Sequence, residues 1–324
     1  MEILVKIKNL DKKNREIFER IYDIKEEVGI QKFPKDIEKK YKKLERQKIL
    51  IVKNKILLKE THINPLRKKR QKPSFKNIVE KFCPFCNPKK YTPEDEVGRL
   101  ENKYSISSSN LMKGAKNHSL IIFKKHKNFG LKDLEETLSL SFLWFKKNIG
   151  NKILIWNNLW RAGASIPHPH FQIFSLDTIP EKLKFIKLRL DLYKNLYKSD
   201  YFDDLFRLHK KLGLAKEKNG LRIIIDLAPF KENEIIILPK DWDKNIKEVS
   251  KLLFLYKKIS ESFNLFLFYD GNFKKIGFLV DRGSLKELNS DIGSLEIYSF
   301  SIVSSDPFEL AKRLFKNRNS ISFF

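Results

Sequence analysis

The chain has 324 residues, 41% of them hydrophobic, which is enough to bury the core of one large domain or two modest ones. Its two cysteines exclude a disulfide scaffold, and no apolar run approaches the ~20 residues of a membrane span, so a cytoplasmic protein with no membrane partner is expected. A formal charge of +26 invites a nucleic-acid partner, but the lysines run along the whole chain and interleave with aspartate and glutamate, which predicts at most weak, non-specific nucleic-acid binding.

Residues 1–58 read as a charged helical arm, with Ile17, Ile21 and Ile24 along one face of a helix spanning Asn14 to Val28. The basic run Arg67 to Pro73 follows, either a solvated linker or a phosphate-contacting loop. Next comes Cys83-Pro84-Phe85-Cys86, whose C-x2-C spacing lets two thiolates share one Zn²⁺. A structural or redox pair is the alternative, although Asn87 to Pro93 reads as loop rather than as the helix a redox pair would open.

From His118 the chain reads as a buried strand, a turn and an amphipathic helix to about Lys147, then a strand from Lys152 to Asn158. Asn233 to Lys258 repeats the strand, turn and helix at nearly the same lengths. The alignment sets His118 on Asn233 and His126 on Asp241, and loosely sets the His168-Pro169-His170 strand on Lys275 to Arg282. The expected fold class is therefore α+β: a catalytic half over 59–195 and a degenerate half over 196–324 that has lost its histidines.

Within Gly163 to Phe174, G-A-S-I-P-H-P-H-F-Q-I-F, a period-two strand directs His168, His170 and Gln172 to one face and Pro167, Pro169, Phe171 and Ile173 to the other. The prolines place this strand at a sheet edge, or make it begin there. Zinc needs two ligands beyond the cysteines, and His126, ending one strand, and His168, beginning another, are placed to supply them. His62 and His209 read as ordinary core histidines. A neutral imidazole at His170 is a competent nucleophile toward phosphorus, with Gln172, Ser165 and backbone N–H groups after Gly163 as donors to the developing charge.

C-P-F-C, then H-S-L-I-I-F-K-K-H, then N-N-L-W-R-A-G-A-S-I-P-H-P-H-F-Q, in that order, resemble galactose-1-phosphate uridylyltransferase and its nucleotidyltransferase relatives in the histidine-triad superfamily. The resemblance runs over roughly Lys69 to Pro180, and more faintly through Pro229 to Lys240. It implies that Cys83, Cys86, His126 and His168 hold zinc and that His170 forms a nucleotidyl-histidine. It further implies that Gln172 and Ser165 contact the transferred phosphate, and that Asn157 and Asn110 lie near the nucleotide.

The fold implied is two antiparallel histidine-triad-like halves with flanking helices, forming a homodimer. The implied reaction is ping-pong transfer of a nucleoside monophosphate between a nucleotide sugar and a sugar 1-phosphate, with UDP-glucose and galactose 1-phosphate as the first choice. Adenylyl transfer or phosphorolysis of an ADP-sugar or dinucleoside polyphosphate is the rival reaction, and a basic nucleic-acid-binding protein with a relict triad site is the rival class. Two departures from the family pattern stand out: Phe171 replaces a small residue, and Asn158-Leu159 replaces Lys-Gly. No clear match to the hexose-binding residues is present.

Overall fold

The computed structural model describes residues 2–31, 39, 42–44, 46–66, 82–96, 98–269, 275–287 and 290–315, so the basic run from Arg67 to Pro73 lies outside the described residues. Helix α1 spans Glu2–Lys8 and α2 spans Lys12–Ile21, the latter capped by the Asp11 side chain, which accepts from the Asn14 N–H. Ile17, Phe18 and Ile21 bury the inner face of α2.

The helix stops there. Ile24, expected on the same helical stripe, belongs instead to β1 (Tyr22–Ile30), which pairs along its whole length with β2 (Arg46–Asn54). Long-range pairing has overridden the local helical period, a competition that a sequence window cannot see. β3 (Lys59–Ile63) and the distant β13 (Ser301–Val303) complete a four-stranded sheet in the order β1-β2-β3-β13. The arm is thus helical at its start, and its strands join a strand from near the other end of the chain.

The main sheet has nine strands in the order β4-β5-β7-β6-β11-β12-β10-β9-β8. Its first half comprises β4 (Ser105–Ser109), β5 (Asn117–Phe123), helix α4 (Leu131–Lys147), β6 (Asn151–Asn158) and β7 (His170–Leu176). Helices α5 (Glu181–Tyr197) and α6 (Tyr201–Leu212) connect it to β8 (Ala215–Lys218), β9 (Leu221–Ile225), β10 (Ile235–Pro239), α7 (Ile246–Lys257), β11 (Ser262–Tyr269) and β12 (Ile276–Gly283). Every strand pair in this sheet is antiparallel.

The strand order reads the same outward in both directions from the β6·β11 junction, with β8 added at one edge, so the expected repeat is realised as two halves of one sheet. Register makes the equivalence explicit. Ile155 faces Phe266 across the junction; Gln172 and then Leu120 lie outward from Ile155, and Phe278 and then Ile236 lie outward from Phe266. Phe278 therefore occupies the place of Gln172, Ile276 that of His170 and Glu234 that of His118, one residue along from the Asn233 that the sequence alignment selects. The second half has kept the framework and lost the imidazoles.

β7 lies between β5 and β6 rather than at an edge, and the prolines fall just before it: the strand begins at His170, so His168 precedes the ladder instead of belonging to it. Proline lacks an N–H but keeps a carbonyl, and Pro169 uses it to accept from Phe123 at 3.1 Å. Phe171 is fully buried, edge-on to Trp156 at 5.2 Å and to Phe123 at 5.4 Å. The bulky residue that departs from the family pattern fills the core and does not enter the site. Among the described residues no helix is long and apolar enough to cross a membrane.

Candidate active site

Cys83 and Cys86 flank a single helical turn, Pro84–Cys86, followed by the four-residue helix α3 (Pro88–Tyr91), where the sequence alone reads as loop. A proline in the first turn of each sets the backbone for helix where no donor is needed. Phe85 anchors this segment in a small cluster with Ile106, Leu120 and Ile122. His126 lies just past the end of β5 and His168 just before β7, so adjacent antiparallel strands deliver both imidazoles to the same end of the sheet.

The four ligand atoms lie within 4.8 Å of one another. Cys86 Sγ is 3.1 Å from His126 Nδ1 and 3.8 Å from His168 Nδ1, and Cys83 Sγ is 3.5 Å from His168 Nδ1. Zn–S and Zn–N bonds of about 2.3 and 2.0 Å in a tetrahedron give S···N edges of about 3.5 Å, so these three S···N separations lie close to the spacing zinc requires.

His168 Nε2 donates to the Phe123 carbonyl at 2.6 Å, which leaves the Nδ1 lone pair facing the cluster as the atom that could bind a metal. Burial pulls the His168 imidazole down to about 4 and pushes the Cys83 thiol up to about 11. The first leaves a free lone pair at neutral pH; the second means that the thiolate needs a cation beside it. Two soft sulfurs and two imidazoles are a donor set suited to zinc.

His170 is buried, at 8% exposure, with Phe85 edge-on to its ring at 5.0 Å. Its Nδ1 donates to the carbonyl of His168 at 2.8 Å, so Nε2 carries the lone pair. Burial lowers its pKa, which keeps the ring neutral and nucleophilic. The His168 carbonyl thus ties the His170 ring to the residue that belongs to the Cys and His cluster.

Gln172 is oriented by a residue whose role sequence reasoning missed. The Gly114 N–H donates to His118 Nδ1 at 2.9 Å, so the single proton of the neutral ring sits on Nε2, 3.0 Å from Gln172 Oε1. The carboxamide is held by its oxygen, and its NH₂ remains to donate toward the site. Asn110 Nδ2 lies 3.0 Å from the same His118 nitrogen, but with the proton there given to Gln172 the two groups are both donors, so Asn110 is a neighbour of this relay and not a link in it.

Asn157, Gly163 and Ser165 sit on β6 and the turn that follows it. Leu159 has φ 68° and ψ 173°, a backbone that glycine adopts freely, and stands where the family pattern has that glycine. Gly163 at φ 92° reverses the chain, and the amide nitrogen of Asn157 lies 3.9 Å from where a Cβ on Gly163 would stand. Asn157 is two residues beyond Ile155, the cross-strand partner of Gln172, and so shares its face. Ser165 is exposed on the same turn, and no contact joins it to His170.

Compared by sequence with known protein families and with curated proteins, the chain matches none. Solved structures do match. An ADP-glucose phosphorylase from Arabidopsis thaliana aligns at TM-score 0.61 and 16% identity, covering 81% of this chain and 96% of that one. The chain shares the fold of this enzyme and of the uridylyltransferase-like structures that follow. A galactose-1-phosphate uridylyltransferase-like protein from Arabidopsis thaliana aligns at TM-score 0.59 and 17% identity over 74% of this chain and 94% of that one. A uridylyltransferase aligns at 0.53 and 13% over 81% and 96%. At these identities the likeness shows the fold alone and leaves the chemistry to the site.

Proposed function

We propose that the protein is a zinc-containing nucleotidyltransferase that moves a nucleoside monophosphate through His170. The observation that carries this reading is the hydrogen bond from His170 Nδ1 to the His168 carbonyl, which leaves Nε2 bare beside a carboxamide whose donor end is turned outward. In the first step the Nε2 lone pair forms an N–P bond to the α-phosphorus of the nucleotide donor, and the P–O bond to the departing sugar 1-phosphate breaks. The Gln172 NH₂ donates to the phosphoryl oxygen on which charge builds. A phosphate oxygen of the acceptor then attacks the same phosphorus, breaks the N–P bond and returns His170 unchanged.

Cys83, Cys86, His126 and His168 would hold the zinc, whose part is to fix His168 and, through its carbonyl, the nucleophile. Asn157 and the turn from Gly163 to Ser165 would bind the nucleotide. The donor and acceptor we favour are a nucleotide sugar and a sugar 1-phosphate, UDP-glucose and galactose 1-phosphate first. Phosphorolysis of an ADP-sugar uses the same residues with inorganic phosphate as acceptor. The test is a panel of UDP-sugars, ADP-sugars and dinucleoside polyphosphates, each incubated with the protein and scored by intact mass for added nucleotide. A mass increase of one UMP identifies uridylyl transfer and of one AMP adenylyl transfer; no acid-labile adduct with any donor refutes the mechanism.

A further inference from the structure

The half of the sheet without imidazoles reaches into the nucleotide turn. Asn264 on β11 lies directly opposite Asn157 on β6, and its Nδ2 donates to Asn157 Oδ1 at 2.7 Å and to the Ala162 carbonyl at 2.8 Å. Its Oδ1 accepts from Arg282 Nη1, and the same guanidinium grips Asp291 in a two-pronged pair, Nε to Oδ2 at 2.7 Å and Nη2 to Oδ1 at 2.8 Å.

The chemistry of this line admits one orientation. A guanidinium has no acceptor, so the Asn264 end facing Arg282 must be its oxygen, and the end facing Asn157 must be its NH₂. Asn157 must therefore meet Asn264 with oxygen, and its own NH₂ faces the turn, in accord with the position of Nδ2 beside Gly163.

We infer that Asn264 is a positioning residue, anchored by Arg282 and Asp291, that sets Asn157 to present a hydrogen-bond donor to the bound nucleotide. This rests on reading Asn157 as a nucleotide contact. The ligand atom it selects is an acceptor, a phosphate or ribose oxygen. The degenerate half thus supplies the polarity of the pocket while the other half supplies the nucleophile.

Asn264→Asp is the discriminating variant: nearly isosteric, it cannot donate, so Asn157 turns its NH₂ inward to the new carboxylate and offers oxygen to the ligand. Loss of one donor to a charged oxygen raises KM for the nucleotide donor about 10–100-fold. At saturation, kcat and the nucleotidyl-His170 adduct stay within a few-fold of wild type, and zinc content is unchanged. Asn157→Asp, which also offers oxygen, gives the same shift in KM. An unchanged KM in Asn264→Asp overturns the inference, as does an equal fall in kcat with KM constant. The side-chain amide resonances of selectively labelled asparagine give a readout independent of turnover. The Asn157 NH₂ signal moves and gains exchange protection in Asn264→Asp if the relay holds, and an unmoved signal refutes it. If wild type forms no adduct with any donor, the functional reading fails alone, and these resonances still decide the relay.

Discussion

Replacing His118 with phenylalanine tests whether Gln172 works because it is oriented. His118 is 4% exposed and stacks on Phe174 with ring centroids 4.0 Å apart, so a phenyl ring keeps the packing and removes only the imidazole nitrogens. In the native site, turning the Gln172 amide over would replace the 3.0 Å contact between Nε2–H and Oε1 with N–H facing N–H. That forfeits a hydrogen bond of about 1–1.5 kcal/mol, a bias of roughly tenfold before any repulsion is counted. Deleting the Gln172 side chain altogether should cost ~10²-fold or more, the usual effect of removing one donor to a developing oxyanion.

Without that bias the two amide orientations are about equally populated and the side chain gains rotamers, so His118→Phe is expected to slow nucleotidylation by about 2–5-fold, well short of the Gln172→Ala loss. Its folding stability should fall by only about 1 kcal/mol, for the Gly114 N–H left without its acceptor. Single-turnover formation of the adduct, followed by intact mass with the donor that labels wild type, gives the rate, and denaturant unfolding gives the stability. In the double variant, His118→Phe should add little once Gln172 is already alanine. A His118→Phe protein that reacts at the wild-type rate refutes the orientation argument, and so does one as slow as Gln172→Ala, or a cycle whose two effects multiply in full.

His170→Ala should abolish transfer by several orders of magnitude while zinc content and melting temperature stay near wild type; His168→Ala should instead lower bound metal, and elemental analysis with a thermal melt separates the two. Cys83→Ser should lose tightly held zinc and destabilise the Phe85 segment, and a variant that retains one zinc per chain at full stability would sink the four-ligand assignment. Acidification should weaken the fold through His209, which burial pulls down to about 4 beside Tyr22 and Asp226. Its unfolded form takes up a proton below pH ~6.5 and its folded form does not until about 4, so this stability is present above 6.5 and lost as the pH falls toward 4. The loss from pH 7 to 5 should be about 2 kcal/mol by denaturant unfolding, and His209→Gln should flatten the slope.

The sequence was most legible where chemistry dictates residue type. Cys83, Cys86, His126 and His168, which the structure gathers, could be picked out because a C-x2-C pair calls for two further ligands, and H-P-H-x-Q marks His170 and Gln172 as candidates. The repeat could be seen because strand, turn and helix recur at nearly equal lengths. What escaped depended on contacts between distant segments. Ile24 fits a helical stripe, yet belongs to a strand whose partner starts at Arg46. Of the two readings the prolines allow, an edge strand or a strand that begins there, the second holds: they precede an interior strand, and only the pairing on both sides decides between them. His118 and Asn264 were invisible as site residues because each acts on another side chain, 54 and 107 positions away, and no local pattern encodes that.

The β6·β11 junction makes this chain resemble two subunits spliced end to end. Each half alone would expose a bare eight-residue strand, β6 or β11, with its ladder groups unpaired and ready to pair with an identical neighbour. Two separate copies of the first half could close that edge on each other and hold two nucleophiles. Tethering them in one polypeptide removes the demand that both copies stay identical. One keeps the imidazoles, and the other is released to drift toward bracing the half that keeps them.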